Sequence, residues 1–210
     1  MLFRSKRIDM EHIIIISIFV FSLTIHGYSH AYAALILGDT TARDQGRLTL
    51  NPLKHLDILG TLLILIIGFG WAKPVPVIEN NLIKKRRSLY IVALAGPLSN
   101  IILAIFFTLC FHIFSNEIEY ATMRDSFKLS SFLYTMVYVN IILAIFNLFP
   151  IPPLDGSNII YSFLPDKIAK EYMRILYKYS ILWFFIIFLF LNTFPNVIFK
   201  PIRLILNFLI

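Results

Sequence analysis

Apolar runs as long as a bilayer is thick are the feature that most limits this chain. A helix needs roughly 20 predominantly apolar residues to cross the hydrocarbon core. Runs of about that length occupy 12–37, 89–114, 129–149 and 181–199. A further run at 58–72 has only 15 residues, carries Gly60, Gly68 and Gly70, and leads into Pro74 and Pro76. Of the 210 residues, 58% are hydrophobic and only 15% charged, against about 25% charged in an ordinary soluble domain. One soluble core of this size could not hide so much apolar surface. The reading is an all-α polytopic membrane protein with four full spans, a shorter re-entrant apolar segment at about 58–72, and a short tail at 200–210. No repeat, low-complexity tract or soluble domain interrupts it, so 1–210 reads as a single membrane-embedded domain.

Charge and cysteine usage narrow the class further. Cys110 is the only cysteine and sits in an apolar run, where it reads as a small core residue without a disulfide. A net charge of +7 could suggest nucleic acid, but the Lys and Arg fall outside the apolar runs, where such residues usually mark cytoplasmic loops and headgroup contacts. Arg4, Lys6 and Arg7, an apolar stretch and then Ala31-Tyr32-Ala33 also imitate a secretory signal peptide. That apolar stretch is long for such a signal and is followed by three more full spans, so a retained helix is expected.

The first run carries His26-Gly27-Tyr28-Ser29-His30. Histidines at i and i+4 share one helical face and can reach one metal ion; the bland alternative is that each hydrogen-bonds a neighbouring helix. The run 129–149 closes on Asn147-Leu148-Phe149-Pro150-Ile151-Pro152-Pro153-Leu154-Asp155-Gly156, where prolines break the helix and leave Asp155 at the edge of the apolar zone. Seen alone, Asp155 could be a solvated loop residue. Two histidines plus one carboxylate, however, leave open the fourth position at which catalytic zinc holds water.

Those motifs, with Leu50-Asn51-Pro52-Leu53-Lys54-His55-Leu56-Asp57, Gly70-Trp71-Ala72-Lys73-Pro74-Val75-Pro76-Val77 and Ala95-Gly96-Pro97-Leu98-Ser99-Asn100, run in order through roughly 12–160. In them the sequence resembles the site-2 protease family of intramembrane zinc metalloproteases, in a short form without a soluble domain. The resemblance implies one Zn2+ per chain held by His26, His30 and Asp155. It implies hydrolysis of peptide bonds in or near transmembrane segments, with membrane proteins as substrates and the bilayer as surroundings. It suggests that Asn140 or Asn147 holds substrate backbone or the oxyanion, although both amides are equally suited to interhelical hydrogen bonding. The expected location is a multi-pass protein of a prokaryotic inner membrane.

The departure from the family pattern falls on the chemistry. The pattern is H-E-x-x-H, whose Glu is the general base, and this chain has Gly27 there. Positioned acid–base groups contribute about 10²–10⁴-fold, and glycine can move no proton. Among Asp39, Asp44, Asp57 and Glu79, no carboxylate presents itself as a replacement. The alternatives are an inactive relative that binds client membrane helices, or, in another class, a small transporter, which the absence of charge pairs within the spans disfavours.

The ligands must meet at one depth, so the helices of 12–37 and 129–149 should point the same way, which requires 58–72 to return to the side it left. The region 38–88, rich in Lys and Arg, is then cytoplasmic together with 150–178, and 115–128 is external. His55 and His112 are not expected to be ligands, and Lys84-Lys85-Arg86-Arg87 reads as a headgroup anchor.

Overall fold

In hydrocarbon no water satisfies a peptide group, so an apolar segment must close its hydrogen bonds on itself. The computed structural model, which describes residues 10–57, 60, 72–121, 129–179, 182, 183, 185, 186, 189, 193 and 195–210, is helical throughout its long elements. Helix α1 spans Met10–Ile36, α2 is a single turn at Thr41–Asp44, α3 spans Leu89–Ala121 and α4 Leu129–Asn147. Then come α5 at Asp155–Phe163, α6 at Asp166–Lys178 and α7 at Pro195–Leu209. Among the described residues, three helical stretches are long and apolar enough to cross a membrane: Ile13–Ile36, Lys85–Phe114 and Leu129–Asn147. The run 181–199 lies largely outside the described residues, as does the interior of 58–72. The presumed tail at 200–210 belongs to α7, which buries Ile202 and Leu206 against Ala104, Val137 and Ile141. Their i,i+4 spacing puts both on one stripe.

The isoleucine-rich start of α1 is a poor helix former in water, but lipid leaves it no alternative. Its hydroxyls are satisfied within the helix: Ser17, Thr24 and Ser29 donate to the carbonyls four residues back at 2.8, 2.7 and 2.8 Å. Helix α3 runs antiparallel to α1, since His30 meets Val92 while His26 and Ser22 meet Asn100. It runs antiparallel to α4 as well, pairing Asn100 with Asn140 and Ala104 with Val137. Helices α1 and α4 therefore point the same way. Small residues at the contacts, among them Ala31, Ala34, Ala93 and Ala104, let the backbones come close.

A polar layer caps one end of this bundle. Gly38, with φ at 98°, ends α1 in the left-handed region that glycine adopts freely, and Ile83 N–H then donates to Leu37 carbonyl at 2.9 Å. Fully buried Asp39 accepts from Thr41 N–H at 3.0 Å, Ile78 N–H at 2.6 Å and Asn81 Nδ2 at 3.0 Å. Arg47, also buried, donates to the carbonyls of Pro74 and Lys73 at 2.7 and 2.8 Å. Leu56 and Ala72 form an antiparallel bridge, next to which Lys73 N–H donates to His55 carbonyl at 2.9 Å. Both ends of 57–72 are thus fastened at one place.

The Lys84–Arg87 run is only partly a surface anchor. Lys84, Lys85 and Arg87 are exposed, but Arg86 turns inward and donates to the carbonyls of Tyr161 and Leu164 and to Asp166. Those carbonyls close α5, whose first residue is Asp155.

Asp39→Ala would orphan two backbone N–H groups and an amide. It should cost roughly 2 kcal/mol or more, read as a lower Tm of the detergent-solubilised protein. Burial opposes ionisation of Asp39, but hydrogen bonds from Thr41, Asn81 and Ile78 outweigh it and hold its carboxyl below the usual range. The stability this contributes is full above the ordinary carboxylate pKa and disappears as pH falls through the depressed one. The Tm of the Ala variant should therefore change less than the parent's on acidification across that window.

Candidate metal centre

Helix α1 brings the His26 and His30 rings to 4.6 Å between centroids, nearly perpendicular. Each has its Nδ1 tied to an acceptor on α3. His30 Nδ1–H donates to the Val92 carbonyl at 2.7 Å, and His26 Nδ1 lies 2.6 Å from Asn100 Oδ1. A carbonyl can only accept, so both Nε2 atoms are left to present lone pairs. They lie 3.0 Å apart.

The third member comes from the far side of the bundle. The proline-rich turn after α4 brings the chain back so tightly that a Cβ on Gly156 would strike the carbonyls of Leu148 and Phe149. This return sets Asp155 Oδ1 3.2 Å from His30 Nε2 and Oδ2 3.3 Å from His26 Nε2. Oδ2 is buried and takes no hydrogen bond from any described group.

Three acceptor atoms at this spacing, in a low dielectric, require a positive charge among them. In the bare chain the His26 and His30 imidazoles face the carboxylate directly. Burial opposes ionisation of Asp155, yet the facing His30, with His26, outweighs this and pulls the carboxyl down to about 2. A metal ion fits better. Zinc bonds of about 2.0–2.1 Å in a tetrahedron put neighbouring ligand atoms roughly 3.3 Å apart, close to the 3.0, 3.2 and 3.3 Å found here. Among the described residues, these three form the group of His, Cys, Asp and Glu that could hold such an ion.

Gly96 keeps the space open. A Cβ there would strike Nε2 of His30 and lie 2.6 Å from Nε2 of His26, inside the volume that the ion needs. Gly96 lies in the Ala95–Asn100 motif that carries the family resemblance, but only the packing shows that it faces the two ligand rings.

The comparisons with known proteins agree with this chemistry. The model of peptidase family M50 matches residues 111–191, which include Asp155. The chain is 42% identical over 172 residues to a Bacillus subtilis protein named "Putative zinc metalloprotease YwhC", covering 80% of this chain and 77% of the relative. It is 31% identical over 169 residues to "Putative zinc metalloprotease Rip2" of Mycolicibacterium smegmatis, covering 78% of this chain and 61% of that protein. The chain belongs to peptidase family M50, the site-2 protease family. No solved structure matches it.

The other residues singled out from the sequence take different places. Asn140, wholly buried, donates to Ser22 Oγ at 3.0 Å and the Met136 carbonyl at 2.8 Å, and accepts from Asn100 Nδ2 at 2.9 Å. It thus reaches the site through Asn100, the amide that orients His26. Asn147 donates to the Leu143 carbonyl at 2.9 Å on its own helix. His112 lies away from the ligands, donating from Nε2 to the Leu209 carbonyl at 2.7 Å. Gly27, where the M50 pattern has its glutamate, is not an empty slot. A Cβ on it would lie 2.6 Å from Nδ1 and 3.2 Å from Cε1 of His55, so a glutamate could enter only if His55 moved.

Gly96→Ala should lower zinc content at least about tenfold while helical content is retained. Asn100→Ala should weaken metal affinity about 10–100-fold by freeing the His26 ring. Elemental analysis and circular dichroism of the purified variants check both.

Proposed function

We propose that this chain is a zinc-dependent endopeptidase that cleaves membrane proteins in or near their transmembrane segments. The observation that carries the proposal is the convergence of His26 Nε2, His30 Nε2 and an unpartnered Asp155 oxygen within 3.0–3.3 Å, at one end of a helix bundle. When bound there, zinc would polarise a peptide carbonyl and lower the pKa of a water molecule towards neutrality. The residues of the chain do the positioning. Val92 and Asn100 hold the imidazole planes, the Asn140–Ser22 pair holds Asn100, and Arg86 anchors the helix that begins with Asp155. With all the ligands on rigid helices or a helix start, the site needs little reorganisation to act.

In this reading the substrate is a membrane-protein helix, the run 181–199 supplies a fourth crossing, and 58–72 dips into the bilayer and returns. Its ends, bridged at Leu56 and Ala72, suit such a path. The Lys- and Arg-rich polar layer then faces the cytoplasm of a prokaryotic cell, with zinc near that face. Gly27 is the observation that favours the rival, an inert relative that binds client membrane helices without cutting them.

The purified chain, reconstituted with zinc, should cleave a model transmembrane peptide. Chelation should abolish cleavage and zinc readdition restore it, while His26→Ala or Asp155→Ala should lower the rate at least about 10²-fold. A zinc-loaded chain that binds the peptide but leaves it intact would establish the rival. Cysteines placed at 44 and 84 should both resist an external thiol reagent in intact cells; external labelling at both would reverse the orientation, and labelling at 44 with protection at 84 would show that 58–72 crosses.

A further inference from the structure

We infer that His55 takes the place of the absent glutamate as the proton acceptor of this site, an assignment that rests on the peptidase reading above. The glutamate of H-E-x-x-H acts from the residue after the first ligand, and here a Cβ on that residue, Gly27, would come within 2.6 Å of His55 Nδ1. The imidazole therefore occupies the volume into which a side chain at 27 would project. Glycine and histidine are complementary at these positions, because the missing side chain makes room for the ring.

Its orientation is held from three directions. His55 N–H donates to the Pro52 carbonyl at 2.9 Å, its carbonyl accepts from Lys73 N–H at 2.9 Å, and Nε2 lies 2.7 Å from the Thr49 carbonyl. A carbonyl accepts only, so the proton is on Nε2 and Nδ1 carries a lone pair. That nitrogen is buried and has no hydrogen-bond partner among the described residues, in a side chain only 2% exposed. An unpartnered buried acceptor costs stability, and it persists here beside the helical turn that bears His26 and His30. Burial lowers the affinity of the imidazole for a proton; the Thr49 bond works against this, and the charge of Arg47 adds to it. The ring is thus neutral and able to accept.

The step balances with water as the only co-reactant. The water oxygen bonds to the scissile carbonyl carbon while His55 Nδ1 takes one of its protons. That proton then passes to the amide nitrogen as the C–N bond breaks, leaving a carboxyl group, a free amine and neutral His55. Nothing is oxidised or reduced.

The test uses the full chain in detergent with a synthetic transmembrane peptide. His55→Ala and His55→Gln should keep the zinc stoichiometry of the parent yet cleave at least about 10²-fold more slowly. Adding Gly27→Glu to His55→Ala should recover at least about tenfold of that rate, since the vacated volume accepts the carboxylate. Independently of activity, 15N spectra of the histidine-labelled, metal-free parent should show His55 protonated at Nε2 and bare at Nδ1. Cleavage by zinc-loaded His55→Ala at the parental rate would overturn the assignment. So would an Nδ1–H tautomer, or loss of zinc on His55 substitution. A zinc-loaded parent that cleaves nothing, whatever its His55 tautomer, would remove the peptidase reading itself and His55's role with it.

Discussion

Two imidazole nitrogens and a carboxylate oxygen face one another inside the bundle with no donor among them, and much of the structure serves to hold that unfavourable arrangement. Left free, each ring would turn to a better partner. The Val92 carbonyl, and Asn100 backed by Asn140 and Ser22, prevent this by occupying both Nδ1 atoms. Each link in that chain is an uncharged hydrogen bond within or beside an apolar span, where an alternative partner is scarce. The amides cost burial, but they return a fixed orientation for the ligands.

The carboxylate is positioned by different means. Asp155 cannot come from a continuous span, because the chain must leave α4, turn and start α5 within a few residues. Prolines stop one helix, and the missing side chain at Gly156 allows the backbone to fold onto the carbonyls of Leu148 and Phe149. Arg86 then locks the far end of α5 to the segment before α3. A cation that would elsewhere serve at the lipid headgroups is used as a helix clamp, which its planar, multiply donating guanidinium suits.

Glycine has three separate uses around the ligands. Gly156 admits a backbone return, Gly96 leaves the metal volume open, and Gly27 admits the His55 ring. In each case the neighbour that a Cβ would strike is a backbone carbonyl, a ligand or an imidazole, and these cannot step aside as the end of a long side chain could. The polar layer around Asp39 and Arg47 belongs to the same arrangement, since it carries the loop that presents His55 against α1.

Much was legible without coordinates. Apolar length alone requires helices, because lipid offers a peptide group no other partner. The His26–His30 spacing follows from helix periodicity, and the prolines before Asp155 announce a break. The ordered motifs pointed to the family that the relatives bear out. The sequence could not tell which polar residues meet across helices. Asn100 and Asn140 look alike as lone amides in apolar runs, yet one orients a ligand and the other braces it. Arg86 looked like its neighbours in a basic run, though it alone turns inward. His55 lies 28 positions after Gly27, and no periodicity connects a loop residue to a helix that far away. Local pattern determines what a segment becomes, since backbone hydrogen bonds close within a few residues. Only the tertiary structure decides which side chains share a volume, because that depends on how closely helices pack and on where a Cβ is missing.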